Sequence, residues 1–405
     1  MLRLSQFSLV TGFFEETSGM CHTFSGPKYQ TDNCKKEFFD RGFNEPVVQA
    51  YFQYMIDVAV RLGAQENKSK EELQKVLDFE MKLANISLSR EDQRKKTKLY
   101  NPTTLAKLPS GGGLPHSWTI YFQKLFEFGN KKLDIQETER VIIQDINFYK
   151  NLGSVLESTD NRTLANYIGW RIAHEAIDYL SSEGRDITQK FKKVLIGVDQ
   201  KPPLWSTCLD KLTISGYKHV VDSMYARFIF NADSKEQVLD MTKYLRRSFS
   251  KILDDAEWMD EETKNKARKK LDNMKEHMAY PNELLNREKV DGAYSELHPD
   301  EEDYFGNVLK LSKHVTQYSN LKLREVVNPH HWREWIRIAL VGGFNIFSAN
   351  TIEFEAGILQ GTALVPLLFC LDYKPLFITK CKLPSLIKKH CYLSLIFEPE
   401  RLSTI

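Results

Sequence analysis

The most regular hydrophobic pattern of the chain is Ala165-Asn-Tyr-Ile-Gly-Trp-Arg-Ile-Ala-His-Glu-Ala-Ile-Asp-Tyr-Leu180. Its small and apolar residues recur every three or four positions: Ala165, Ile168, Gly169, Ile172, Ala173, Ala176, Ile177 and Leu180. This spacing places them on one face of an α-helix. The stretch therefore predicts an amphipathic helix whose apolar stripe packs against a core.

Helical periodicity extends on both sides of this stretch, from about residue 45 to about residue 285. Residues 71–86 place apolar side chains on one face, interrupted only by Glu80. Residues 236–253 repeat the three-four spacing. Loops rich in glycine or proline separate these segments and are too short to act as flexible linkers. We therefore predict a mainly α, multi-helical domain over this region.

The pattern changes near residue 341. Phe344-Asn-Ile-Phe-Ser348 and Asn350-Thr-Ile-Glu-Phe354 alternate in polarity and are rich in aromatic and β-branched residues. Alternation with period two is typical of strands that have one buried face. We therefore predict a short β-hairpin near residues 341–356.

The composition excludes several classes of protein. The 405 residues are 42% hydrophobic and 27% charged, as in globular proteins, and the formal net charge is only +2. This balance argues against nucleic acid or an anionic membrane surface as the main partner. No apolar run reaches the roughly 20 residues that cross a bilayer, so no membrane span is expected. Residues 1–14 make a poor signal peptide because their apolar core is patchy.

The cysteines and the glycosylation sequons give weaker indications. The six cysteines form no Cys-x-x-Cys pair, which argues against a zinc ribbon or a thioredoxin-like redox site. Sequons for N-glycosylation occur at Asn67, Asn85 and Asn161 and are compatible with secretion.

Residue chemistry alone shows no active site. A zinc peptidase needs His-Glu-x-x-His on one helix, and the nearest string is His174-Glu-Ala-Ile-Asp178. We interpret His174 and Asp178, like Arg171 and Glu175, as a surface ion pair four residues apart. His330 and His331 are adjacent, and neighbours in sequence rarely share one metal. No catalytic metal ligand or nucleophile is predicted.

Several strings, in order, resemble segments of the neprilysin and endothelin-converting-enzyme family. They are Tyr100-Asn-Pro-Thr-Thr-Leu-Ala106, Leu164-Ala-Asn-Tyr-Ile-Gly-Trp-Arg171, Trp205-Ser-Thr-Cys208, Trp258-Met-Asp-Glu-Glu-Thr263 and Ala356-Gly-Ile-Leu-Gln360. The resemblance covers about residues 45–361. It implies a zinc metalloendopeptidase that cleaves peptides, either extracellular or membrane-anchored, in which a helical cap domain covers a catalytic domain.

The resemblance also implies a division of the chain. Residues 1–44 are a divergent N-terminal segment, and residues 45–340 correspond to the family's helical, cap-forming region. Residues 341–361 correspond to the edge strands that begin the catalytic domain, and residues 362–405 form a divergent tail. Because the family's zinc motif follows the Ala-Gly-Ile-Leu-Gln string, zinc is a cofactor of the family that we do not expect this chain to bind.

A second departure from the family lies at Gly342 and Gly343. The family has Asn-Ala there, and the resemblance implies that these two residues hydrogen-bond the backbone of a bound peptide. Glycine leaves only backbone groups for this role. Two interpretations stay open, a reduced substrate-binding position and a flexible entry to the strand.

Two functional hypotheses follow from the resemblance. In the first, the chain is the N-terminal region of a neprilysin-like peptidase and is inactive alone, so whether it is an enzyme is uncertain. In the second, it is a non-catalytic cap module that binds peptides or a full-length relative. Cys208 resembles a family disulfide cysteine, and we expect it to be free or mispaired.

Overall fold

The computed structural model describes residues 2–4, 36–110, 114–128, 131–143, 145–214, 216–335, 338–339, 341–347 and 349–360. The chain divides into two compact units. The first comprises Met1–Lys218 and Tyr294–Val327, and the second comprises His219–Ala293 and Asn328–Ile405. The predicted tail, residues 362–405, and all but residues 2–4 and 36–44 of the predicted N-terminal segment lie outside the described residues.

Helices dominate the described residues, which confirms the predicted mainly α class. They are α1 (Lys36–Phe39), α2 (Pro46–Arg61), α3 (Glu66–Ile86), α4 (Arg90–Gln93), α5 (Trp118–Leu125), α6 (Ile146–Glu157), α7 (Asn161–Leu180), α8 (Ser182–Ile196), α9 (Leu204–Ile214), α10 (Lys218–Phe228), α11 (Ala232–Asp254), α12 (Glu261–Asp272), α13 (Arg287–Gly292), α14 (Tyr304–Leu321) and α15 (Ala356–Leu359).

Short strands complete the described architecture. They are β1 (Leu2–Leu4), β2 (Asn101–Thr104), β3 (Glu127–Phe128), β4 (Lys131–Lys132), β5 (Arg140–Ile143), β6 (Lys275–Ala279), β7 (Gly343–Ile346) and β8 (Thr351–Glu355). In the first unit, β5 lies between β1 and β2, and β3 pairs with β4. In the second unit, β8 lies between β6 and β7.

The predicted hairpin is confirmed by β7 and β8. The two strands are antiparallel, with Gly343 opposite Phe354 and Ile346 opposite Thr351. Asn350 takes a positive φ of 48° in the connecting turn, where asparagine is better tolerated than most residues. Sequence analysis missed β6, which lies inside the region predicted to be helical. This strand pairs in parallel with β8. A strand of five residues is too short for its periodicity to be told from that of a helix.

The core of the first unit is an aromatic cluster among α2, α7 and α8. Tyr54 stacks on Phe191 with 5.2 Å between ring centroids, and both Tyr51 and Tyr54 meet Trp170 edge to face. Aromatic side chains bury large areas, and such ring pairs add about 0.5–1.5 kcal/mol each beyond that burial. The cluster therefore fixes how these three helices pack.

The buried face of α7 coincides with the predicted stripe only at Ala176 and Ile177. Ile168 and Ile172 are 45% and 48% exposed, whereas Tyr167, Trp170 and His174 are buried. The helix is confirmed, but its predicted orientation is wrong over most of its length. The reason is that the aromatic rings bury more area than the aliphatic stripe, and their polar atoms find partners inside the core.

The interpretation of Arg171 and His174 as surface ion-pair residues is also wrong. Both side chains are buried, each 8% exposed. His174 Nδ1 lies 3.0 Å from the Tyr54 hydroxyl, and Arg171 lies 4.0 Å from Glu80. Arg171 and His174, which the sequence pattern placed on a solvated helix face, therefore belong to a buried polar network.

Glu80 is the acidic centre of that network. The Tyr51 hydroxyl donates to Glu80 Oε1 at 3.3 Å, and Trp170 Nε1 donates to the Tyr51 oxygen at 3.0 Å. Burial of the carboxyl raises the pKa of Glu80 to about 7, and the nearby Arg171 charge offsets only part of that rise. The carboxyl is thus held close to the boundary between its neutral and its charged form at neutral pH.

In the second unit, Arg246 of α11 ties the helices to the sheet. Its guanidinium contacts the Glu276 carboxylate on β6 and donates to the Leu271 carbonyl at 2.6 Å. Ser223 Oγ of α10 donates to the Leu284 carbonyl at 2.7 Å. The Arg246 contacts join α11 to β6, and the Ser223 bond joins α10 to the segment that follows β6.

We expect Glu80→Gln to flatten the dependence of stability on pH. The folded-state pKa of Glu80, about 7, lies above its unfolded value of 4.5, so its contribution is complete below pH 4.5 and is lost as the pH rises through about 7. The loss should approach about 3 kcal/mol of unfolding free energy. Urea unfolding between pH 4.5 and pH 8 measures it.

Glu72→Gln is the matched control for this measurement. Glu72 also lies on α3, but its hydrogen bond with Arg162 lowers its pKa. The Glu72→Gln variant should therefore lose unfolding free energy between pH 5 and pH 8 as the wild-type chain does. A wild-type decline that persists unchanged in the Glu80→Gln variant would show that another group is responsible.

Candidate functional site

Strand β7 forms an edge of the described three-stranded sheet, next to β8. The Glu355 amide donates to the Gly342 carbonyl at 3.2 Å, so the backbone groups of this pair face each other. In an antiparallel ladder these facing pairs alternate, so the N–H and C=O groups of Gly343 and Asn345 face away from β8. A sheet edge of this kind can accept an extended peptide through main-chain hydrogen bonds.

Exposed apolar side chains flank this edge. Val341 and Phe347 are each 77% exposed, and Phe344 between them is also exposed. Backbone donors and acceptors beside apolar side chains are the two features by which a strand-addition site holds a peptide. The described residues therefore offer a short edge at β7 that can pair with an extended chain.

Gly342 and Gly343 lie where a side chain would press on its neighbours. A Cβ atom on Gly342 would lie 2.6 Å from Glu355 Oε2, and one on Gly343 would lie 3.0 Å from the Phe354 ring. Gly342 is buried, and Gly343 is paired with Phe354 in the ladder. Close packing is thus a feature of both glycines, and the two interpretations from sequence stay predictions.

The residues of the string that comes nearest to a peptidase zinc motif make other contacts. His174 packs on Trp170 and contacts the Tyr54 hydroxyl, while the Asp178 carboxylate accepts from Thr188 Oγ1 at 2.6 Å. Across the described ranges, no three His, Cys, Asp or Glu side chains converge as metal ligands. The string His174–Asp178 does not fit a catalytic zinc ion.

His330 and His331 point to different partners. His331 Nδ1 accepts from the Arg333 amide at 3.3 Å, whereas His330 Nδ1 lies 3.3 Å from His277 Nε2. Sequence analysis missed His277 and Glu353, which are buried on adjacent strands. The one sequence signal for these two residues is that each is polar at an inward position of a strand. That signal can be recognised only after β6 is assigned as a strand.

The three sequon asparagines are exposed. Asn67 and Asn85 lie near opposite ends of α3, and Asn161 is the first residue of α7. Cys208 is exposed and free of a disulfide. Glycosylation at these asparagines stays a prediction. None of the helices in the described ranges combines the length and the apolar content that crossing a bilayer requires.

We expect Gly342→Asn to destabilise the chain and Glu355→Ala to relieve that effect. A side chain at position 342 meets the Glu355 carboxylate, which ends a flexible side chain and can shift, so the cost should be about 1 kcal/mol, the low end for overpacking. Urea unfolding of both single variants and of the double variant gives the coupling energy.

Gly292→Ala serves as the control, because a Cβ atom there meets nothing within 4 Å. Additive effects of Gly342→Asn and Glu355→Ala would contradict the proposed clash.

The sequence comparisons identify one family. The family model described as Peptidase family M13 matches residues 27–281. The chain is 37% identical over 337 residues to Neprilysin-2 of Drosophila melanogaster, which covers 80% of the chain and 43% of that protein. It is 30% identical over 331 residues to human neprilysin, covering 79% of the chain and 44% of that protein.

Solved structures show the same fold. The chain resembles the cryo-EM structure of the Mycobacterium tuberculosis zinc metalloprotease ZMP1 in its open state, with a TM-score of 0.68 and 19% identity over 82% of this chain and 49% of that one. It also resembles the crystal structure of PepO from Lactobacillus, with a TM-score of 0.66 and 18% identity over 87% of this chain and 55% of that one.

The chain spans less than half the length of the curated relatives it matches. The matched family model covers more than half of the chain, in the region that includes α2, α3 and α7. The chain belongs to peptidase family M13, of which it contains the N-terminal, mainly helical region.

Proposed function

We propose that the chain supplies the cap-forming part of a neprilysin-like zinc endopeptidase. The observation that carries this proposal is the match of residues 27–281 to the family model, together with relatives that align with 80% of the chain but 43% of their own length. Residues 45–340 then form the cap, and residues 341–361 begin the catalytic domain. The flanking segments 1–44 and 362–405 are divergent.

In this proposal, β7 contributes to peptide binding. Its outward N–H and C=O groups at Gly343 and Asn345 can pair with an extended substrate. The side chains at positions 342 and 343 are absent, so recognition rests on backbone groups and on the exposed rings of Phe344 and Phe347. The edge binds a peptide in this arrangement and does not cleave it.

The 405 residues alone are proposed to lack hydrolytic activity. Zinc-dependent hydrolysis requires protein ligands that leave one coordination position for the water to be activated. The sequence contains no His-Glu-x-x-His, and the residues of the nearest string are buried or hydrogen-bonded in the helical core. Zinc therefore belongs to the family's reaction and has no corresponding ligand set in the described residues.

A second candidate function is a non-catalytic module that binds peptides or a full-length relative. The exposed Val341 and Phe347 beside the β7 edge favour it, because exposed apolar groups next to unpaired strand atoms promote association. An extracellular or membrane-anchored location is proposed from the family, and the exposed asparagines 67, 85 and 161 are compatible with it.

We expect the purified chain to bind a neprilysin-type peptide without cleaving it. A quenched fluorescent peptide, with and without a zinc chelator, measures hydrolysis, and fluorescence anisotropy measures binding. Chelator-sensitive cleavage by the 405 residues would contradict the proposal that they are inactive alone.

We expect Asn345→Pro to weaken binding of this peptide about 3- to 10-fold, because it removes one outward N–H and a hydrogen bond contributes about 1 kcal/mol. Asn345→Ala keeps the N–H group and should bind like the parent chain. Equal affinities for both variants would exclude β7 as the binding edge.

A further inference from the structure

His277 and His330 bring two imidazole nitrogens face to face in the second unit. His277 lies on β6 and is 5% exposed, and His330 lies in the segment before Trp335. His277 Nε2 and His330 Nδ1 are 3.3 Å apart, and the ring planes are perpendicular at 89°. At this distance the two rings can share one hydrogen bond, and their tautomers decide which nitrogen donates.

The other side of His277 is held in place by two neighbours. The Trp335 ring stacks on the His277 ring with 4.0 Å between centroids. His277 lies opposite Glu353 in the ladder between β6 and β8, and His277 Nδ1 is 3.5 Å from Glu353 Oε2. These two atoms lie at ion-pair distance without a hydrogen bond between them. A carboxylate on this side of the ring still favours the tautomer with the proton on Nδ1, which leaves the Nε2 lone pair on the side of His330.

This arrangement has the form of a metal-ligating histidine with its supporting carboxylate. Histidine ligands commonly donate their second ring N–H to a carboxylate, which orients the ring and raises its basicity. Two imidazole nitrogens that each lie about 2.0–2.1 Å from a tetrahedral zinc ion are themselves about 3.3–3.4 Å apart. We propose that His277 and His330 form a two-histidine site for a divalent transition-metal ion of the zinc type, with Glu353 as the positioning carboxylate.

The charges around the pair differ in how exposed they are. Lys275 opposes a cation, but it is exposed, whereas the Glu353 carboxylate is buried behind His277. Because the described residues supply no third ligand, water completes the coordination.

Such an ion would join the segment that carries His330 and Trp335 to strand β6. This inference differs from the sequence-based expectation that the chain binds no metal. It does not depend on the proposed peptidase role, because it concerns His277 on β6 and the part-buried His330 rather than the edge of β7. Failure of one proposal therefore leaves the other intact.

The test is a zinc titration of the chelator-stripped chain by isothermal calorimetry, with its cysteines alkylated because the Cys208 thiol is exposed. We expect one equivalent of Zn²⁺ that is lost in both His330→Ala and His277→Gln. Glu353→Gln should weaken binding about 10- to 100-fold, as loss of a supporting partner does in other metal sites. Circular dichroism in chelator checks that each variant is folded.

His331→Ala is the matched control, because His331 Nδ1 already accepts a backbone N–H and its ring is not part of the pair. Binding retained in this variant and lost in His330→Ala supports the site. In nitrogen-15 spectra of the histidine rings, zinc should shift His277 and His330 and leave His331 unchanged. No binding, or binding insensitive to both substitutions, overturns the proposal and leaves an ordinary contact between two histidines.

Discussion

The burial of Glu80 is the constraint on which the first unit depends. A carboxyl inside an aromatic core costs free energy unless its oxygens find hydrogen-bond donors or it remains neutral. Tyr51 supplies one donor, and Arg171 brings a charge to within 4.0 Å. Because these partners come from α2 and α7, satisfying Glu80 of α3 requires three helices to be in register at once. The polar network thus restricts the helix packing more tightly than apolar burial alone.

Strand β8 has the corresponding role in the second unit. It pairs in parallel with β6 and antiparallel with β7, and its inward positions are Thr351, Glu353 and Glu355. A buried strand usually carries apolar residues at such positions, so two buried carboxylates make the strand sensitive to what surrounds it. Glu353 meets His277 on one side, and Glu355 occupies the space that a side chain at position 342 would need. Side chains of β8 therefore form part of the surroundings of both Gly342 and His277.

Helices with a clear three-four period, and the alternating hairpin, were predictable from the sequence. The face that α7 buries was not, because a pattern of aliphatic residues does not reveal that Trp170 and His174 have hydrogen-bond partners on another helix. Strand β6 was not predictable either, since a parallel neighbour lies about 75 residues further along the chain. Both failures concern contacts between distant segments, about which local periodicity carries no information.

The candidate site shows the same division between local and distant information. The position of Gly342 and Gly343 at the start of a strand follows from resemblance, but their close neighbours, the Glu355 carboxylate and the Phe354 ring, appear only in the structure. A glycine at a sheet edge leaves the backbone groups of the edge unchanged, so pairing with an extended chain needs no side chain there. Zinc-dependent hydrolysis differs, because it needs several metal ligands held together. In the proposed function, peptide binding at β7 is therefore separable from the reaction of the whole enzyme.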